Sequence, residues 1–334
     1  MTLQSTLIAL IKQKLKRNET IGSALSELLN ISPDAVYRRT RNETHFSIYE
    51  LEKICERFNI SLDELFDRSQ KSVSFDYQPL DNQKFKMSEY LKSIRDSLLF
   101  LKNQGNPKLL LTINNTPFFQ LFNCPNLVRF KLFFWAKTHL QVEEYQEVRF
   151  SDYTFTEEEQ LLGNEILRIY TTIPTTELHD PELMRGFARE IYYYYSSQEI
   201  EDGNYVLQMY DEILLFIGHL KHQAKIGKKF IVQTAPPAGG NKLEMYYNET
   251  LNSVASFYYT TDLSNGLFMA HNFMNSLHTT NKEYVLDTKN VLDRIISNSS
   301  KISVVSSKER NHYFSEIEKL IKSYIAKVKL DLKP

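Results

Sequence analysis

The sequence predicts a mainly α fold with a small β portion, an α+β chain, and three observations carry that prediction. Only 10 glycines occur in 334 residues, against a usual ~7%, which leaves few positions for the phosphate loops of nucleotide enzymes or the tight turns of propellers. Apolar residues recur at spacings of three and four through most of the chain up to about Lys225, the period of helices. Beyond the turn from Pro236 to Asn241, the segments KLEMYYNET, SVASFYYTT and GLFMAHNF are short, β-branched and aromatic. They predict a short antiparallel sheet.

At 334 residues the chain is about twice the usual single-domain length, so two domains are expected. Forty Lys and Arg face 41 Asp and Glu, which excludes a polybasic coat or an acidic tail as the main binding principle. Cys55 and Cys124 cannot build a disulfide framework or a Cys-rich zinc cluster, which fits a reducing compartment. The uncharged run from Leu109 to Val128 carries Asn114, Asn115, Pro117, Gln120, Asn123, Pro125 and Asn126, too polar for a membrane span. The first residues place charge after the apolar stretch, the reverse of a signal peptide. A cytoplasmic protein with no membrane contact is expected.

In chain order, Leu3, Leu7, Leu10, Ile11 and Leu15 form a helix over Leu3 to Lys16, and a short second helix runs through Leu25, Leu28 and Leu29. Ser32 followed by Pro33 is an N-cap with proline at the first helical position, and the helix PDAVYRRTR ends at Asn42, a residue that tolerates the left-handed conformation. Ser47 with Glu50 is a capping box, leading through Leu51, Ile54, Cys55 and Phe58; Ser61 with Glu64 repeats it before Leu62, Leu65 and Phe66. Five short helices therefore fill the first 66 residues. Residues 69–85 read as a linker able to dock one short strand through Val73, Phe75 and Tyr77. Further on, KLLLTIN is a strand and LVRFKLFFWAKTHL, EEQLLGNEILRIY, PELMRGFAREIYYYY and YVLQMYDEILLFIGHLKHQAK are helices, with two more from Glu283 to Ile296 and Lys308 to Val328.

Leu25, Leu29, Ile31, Val36, Leu51, Ile54, Phe58 and Leu65 suffice for one small core while the third helix keeps a polar face. On that face Asp34, Tyr37, Arg38 and Arg41 recur at spacings of three and four, and Pro33 to Arg41 holds three arginines against one acid. An arginine there can address guanine O6 and N7 bidentately while others meet phosphates.

The string GSALSELLNISPDAVYRRTRNETHFSIYELEKICERFNISLDELF resembles the helix-turn-helix domain of lambda-repressor-like (XRE-type) bacterial transcription regulators, over roughly residues 4 to 68. The resemblance implies double-stranded DNA as partner, with Asp34 and Arg38 at base-reading positions, Ser32 at a phosphate contact beside Pro33, and Tyr37 on the same face. Arg39 and Arg41 are expected on phosphates. The sequence departs from the family pattern at Asn30, where glycine is usual, and at Arg39, where a large apolar residue is common; the Arg39 stem is expected to lie over the helix with its head outward. Residues 1–70 carry 10 basic and 10 acidic side chains, so nonspecific attraction to DNA is weak. The remainder is similar to the long aromatic-rich region that some regulators attach to such a domain, a similarity that names no ligand.

These readings give a domain at 1–68, a linker at 69–85 and a sensor or oligomerisation domain at 86–334. The expected function is a sequence-specific DNA-binding transcription regulator, without cofactor, metal site or catalytic set; a protein-interaction scaffold and an enzyme fused to a helix-turn-helix module are the alternatives. His219, His222, His271 and His278 lack strict ligand spacing, and GKKF at Gly227 lacks the rest of a phosphate loop. The run Tyr192 to Tyr195, with Trp135, is available either to a small-molecule effector or to core packing. A homodimer is expected, because operators of this type are usually two half-sites matched by a two-fold protein. Two heptad seams could join it or pack internally: Met87, Leu91, Ile94, Leu98 and Leu101, and Phe314, Ile317, Ile321, Tyr324 and Val328.

Overall fold

Hydroxyl caps set the helices of the first unit, Met1–Asp76 with Thr279–Tyr284. The structure, a computed structural model, describes residues 2–15, 19–62, 65, 73–236, 241–251 and 255–332. α1 (Leu3–Lys14), α2 (Ile21–Leu29), α3 (Pro33–Thr40) and α4 (Ile48–Phe58) begin on Thr2, Thr20, Ser32 and Ser47, whose side chains accept first-turn amides that have no partner within the helix. α2 and α4 end on Asn30 and Asn59 in the left-handed region, with φ of 54° and 48°, and Asn42 after α3 has φ 60°. Asparagine enters that region at modest cost.

Leu25, Val36, Ile54, Leu29, Phe58 and Leu65 are buried, and Ile31 and Leu51 pack at the edge of the same cluster. Leu7, Ile11 and Ile60 complete it. At about 1.5–3 kcal/mol for each fully buried large aliphatic or Phe side chain, this shared core holds together helices too short to persist alone. The Leu65 amide donates to Ser61 O (3.0 Å); Glu64 and Phe66, expected in that last turn, and 69–72 of the expected linker lie outside the described residues. Ser74 O accepts from Thr279 Oγ1 (2.8 Å), and Phe75 meets Tyr284 edge-on at 5.6 Å.

The second unit comprises Tyr77–His278 and Val285–Pro334. Its elements start with α5 (Met87–Asn103), β1 (Lys108–Ile113), α6 (Phe118–Leu121) and α7 (Pro125–Phe134), which continues into a π-helical turn at Trp135–His139. α8 (Glu143–Gln146), α9 (Glu157–Thr172), β2 (Thr175–His179), α10 (Arg185–Ser196) and α11 (Gly203–Ile226) follow. β3 (Leu243–Tyr247), β4 (Ser256–Thr260), β5 (Asn265–His271), β6 (Asn275–Thr279), α12 (Lys282–Ser297), β7 (Ser300–Lys301) and α13 (Ser307–Asp331) close the chain.

The strands form one sheet in the order β6-β5-β4-β1-β2-β3-β7. β1, β2 and β3 are parallel, while β4, β5 and β7 join antiparallel. The class is the expected helix-rich α+β, but the sheet is larger than the short antiparallel one and mixed. Helices fill both parallel connections, α6 to α9 between β1 and β2 and α10 with α11 between β2 and β3, as parallel strands require. In β1, Leu109 to Ile113 are all buried, Thr112 included, so the strand shows no alternation of buried and exposed residues.

Both heptad seams face inward. Met87, Leu91, Leu98 and Leu101 are buried where α5 lies along α9, and Phe314, Ile317, Ile321 and Val328 where α13 lies along α11. Internal packing therefore occupies them. Tyr192 packs on Tyr195 and Tyr324, Tyr194 is buried and bonds Thr138 (2.8 Å), and Trp135 stacks on Phe118 at 5.9 Å. Tyr193 alone of the four is well exposed, at 53%. Among the described residues, no helix is long and apolar enough to cross a membrane.

Candidate nucleic-acid interface

α3 is held by three devices that leave one face bare. Ser32 Oγ accepts from Ala35 N (3.2 Å), Pro33 fixes the first helical φ, and Val36 is wholly buried. Asp34, Tyr37, Arg38 and Arg41 are all exposed, together with Ser32 and Pro33. The four residues predicted to share a face do share it. Tyr37 also leans on α2: a Cβ added to Gly22 would sit 3.5 Å from its hydroxyl. Arg38 Nε lies 3.9 Å from Glu43 Oε2, with both side chains about half exposed, so the pair is worth little and leaves the guanidinium available.

Arg39 differs from the expectation that its head points outward. Its guanidinium turns inward, Nη2 meeting Glu50 Oε1 at 2.8 Å and Nη1 the Ala35 carbonyl at 3.2 Å, with Cζ 5.9 Å from the Phe46 ring centre. The side chain is only 19% exposed. Where the resembled family commonly has a large apolar residue, this chain joins α3 to the first turn of α4 with an ion pair. Glu50 also accepts from Ser47 N through Oε2 (2.7 Å). Burial pushes its carboxyl upward, but the Ser47 amide and the Arg39 charge together hold it below its ordinary value.

The turn after α3 is fixed from α1 by a residue that spacing did not reveal. Gln4 Nε2 donates to Arg39 O (2.7 Å) and Thr44 O (2.8 Å), and its Oε1 accepts from Phe46 N (3.1 Å). Asn42 Nδ2 adds a bond to Ser5 Oγ (3.1 Å). No sequence signal marks Gln4, because its three partners are main-chain groups some forty residues away. Ile48 and Tyr49, on the first turn of α4, are 82% and 78% exposed.

In the second unit the strongest chemistry is internal. Thr175, Glu177 and His179 alternate along β2 and so point to one face of the sheet. Glu177 Oε1 accepts from Tyr170 (2.6 Å) and Gln120 (3.3 Å), and its Oε2 meets His179 Nε2 (2.9 Å); His179 Nδ1 meets Tyr313 (3.2 Å). Lys229 Nζ donates to Tyr170 O, Ile173 O and Thr175 Oγ1, each at 2.6 Å, and so caps the end of α9. Burial lowers the Lys229 ammonium to about 7 against the pull of Glu177. The Glu177 carboxyl is pushed up by burial but brought below its ordinary value by His179, Tyr170 and Lys229. Glu177 and His179 are fully buried.

His219 bonds the Phe230 carbonyl (3.0 Å), and burial brings it down to about 4 despite that bond. His222 packs on the same Phe230 ring, whereas His271 packs on Tyr77 and His278 on Tyr259 and Phe268. Gly227 caps α11 with φ 68°; residues 237–240 of the following turn lie outside the described residues. Lys137, Thr138, Tyr193, Tyr194 and Glu199 line a surface hollow of about 260 Å³ beside the π-helical turn.

Residues 11–65 match the helix-turn-helix family model. The matched segment contains α2, the Asn30 turn and α3 with its bare face, so sequence and geometry agree on a domain of the kind that binds DNA. Neither a curated protein nor a solved structure significantly matches the chain.

Proposed function

We propose that the chain is a sequence-specific DNA-binding transcription regulator, cytoplasmic and without catalytic activity, in which α3 reads double-stranded DNA. The observation that carries this reading is the capped helix of the matched segment with Asp34, Tyr37, Arg38 and Arg41 exposed on one face. In it Arg38 addresses a base, Asp34 reads beside it, and Ser32 and Arg41 contact phosphates at the edges. Arg39 holds α3 against α4 through Glu50, so its part is positioning rather than phosphate contact. Balanced charge in this segment makes the affinity depend on these contacts rather than on a general field.

The second unit is assigned dimerisation and the sensing of a small molecule. Support for sensing is the hollow by Tyr193 and the adjoining π-helical turn, a local irregularity often found at functional sites. Glu177, His179 and Lys229 are assigned a structural role, since they are enclosed and their polar atoms bond one another, main chain or the surrounding Tyr170, Gln120, Thr175 and Tyr313 side chains. Electrophoretic mobility shifts of the full chain on fragments selected from a random duplex library test the main reading. Selection of a recurring sequence supports it, and the absence of any retained fragment at low salt overturns it.

A further inference from the structure

The face of α11 turned to solvent is organised around one glycine. Gln208, Asp211, Leu215, Gly218, His222 and Lys225 step by three and four residues, share one stripe and are all exposed. Glycine inside a helix costs about 1 kcal/mol relative to alanine, yet a Cβ built on Gly218 would meet nothing within 4 Å. Packing within the chain therefore gives no reason for it. Leu215, on the preceding turn, is 76% exposed.

Charge on the helix is divided about the same point. Between Arg189 and Lys221 the only charged side chains are acids, and between Glu212 and Glu244 the only ones are bases. Asp211 and Lys225 stand seven residues on either side of Gly218, about 10 Å along the axis in each direction. Neither has an opposite charge three or four residues away on the helix. The helix dipole does not account for Asp211, which lies beyond the first turn, where that effect fades.

We infer that this stripe docks a second copy of the chain, with the two α11 helices antiparallel about a two-fold axis at Gly218. Such an axis exchanges positions equally far before and after Gly218. It brings Asp211 of one copy to Lys225 of the other twice. The missing Cβ lets the two backbones approach at the crossing. The need for a two-fold rests on the DNA-binding reading above, and the two heptad seams cannot supply it because they are buried within the chain.

Light scattering of the full chain over micromolar concentrations, with Gly218→Arg, Asp211→Lys, Lys225→Asp and the double reversal, tests this. The expected result is twice the 39.3 kDa chain mass, with dimerisation weakened roughly tenfold or more by each single change and largely restored in the double reversal. Gly218→Arg projects into open space, and a urea midpoint close to the parent's confirms that it folds. A chain that is monomeric throughout, or a dimer indifferent to all four variants, overturns the interface. DNA affinity measured on the same samples separates the two readings. A monomer that binds DNA removes this face and leaves the DNA reading intact, whereas a variant-sensitive dimer without DNA affinity supports the face and removes the DNA reading.

Discussion

Arg38 and Arg41 lie on the same helix face but are assigned different work, and single substitutions separate them. Arg38→Ala should weaken binding by about 1–3 kcal/mol and blur preference at one base position, while Arg41→Ala should weaken every sequence alike and flatten the salt dependence. Titrations of each variant against a randomised duplex library measure both effects; an unaltered base preference in the Arg38 variant removes it from the reading role. Lys229 carries a different weight, since three acceptors depend on it. Lys229→Met takes one donor from each of two buried carbonyls, leaving Tyr170 O to the Ile173 amide and Ile173 O to the Thr175 hydroxyl, and leaves Glu177 without its neighbouring cation; it should cost about 2 kcal/mol in chemical denaturation. A loss below about 1 kcal/mol would show that the network closes without it.

His219 makes stability depend on pH in one window. Its folded value is lowered to about 4 from an ordinary 6.5, so the unfolded chain binds the proton first as pH falls. Stability should therefore drop between about pH 6.5 and 4, and no further below, by up to about 3 kcal/mol from this group. Melting of the parent and of His219→Gln across that range checks the sign. The variant should lose less stability on acidification, and an identical slope in the two proteins would assign the acid sensitivity elsewhere.

At the scale of elements, the corner between α3 and α4 stands on Arg39 with Glu50 and on the Gln4 clamp. A double-mutant cycle on Arg39→Ala and Glu50→Ala should show coupling of about 1 kcal/mol in stability with no change in base preference; strictly additive effects would mean that the pair does not hold the corner. The same corner shows where sequence stops being legible. Caps at Ser32 and Ser47, left-handed Asn30 and Asn42, and the core of Leu25, Val36 and Ile54 could all be read, because each is a local signal. The inward turn of Arg39 and the role of Gln4 could not, since both depend on a partner that only the fold brings near. β2 escaped for a related reason. Its TTELH carries Thr175, Glu177 and His179 on the buried side, and a strand whose inward groups are polar shows no apolar alternation. Without β2 the strand read at KLLLTIN had no parallel neighbour, the parallel centre of the sheet was invisible, and the aromatic strands β3 to β5 suggested an antiparallel one.

For the whole molecule, near neutrality sets what DNA binding must look like. With a net charge of -1 and a matched segment in which acids balance bases, little affinity comes from a general field, so recognition depends on the few contacts that α3 offers. A single recognition helix buries limited surface, and dimerisation is what gives such a module useful affinity. The most direct measurement of the central claim is the affinity of the full chain for a selected duplex and for a scrambled one over a series of salt concentrations. The account predicts clear preference for the selected duplex and an affinity for both that falls as salt rises, with a slope matching only a few neutralised phosphates. Equal affinity for the two duplexes, or no measurable binding to either at low salt, would contradict it.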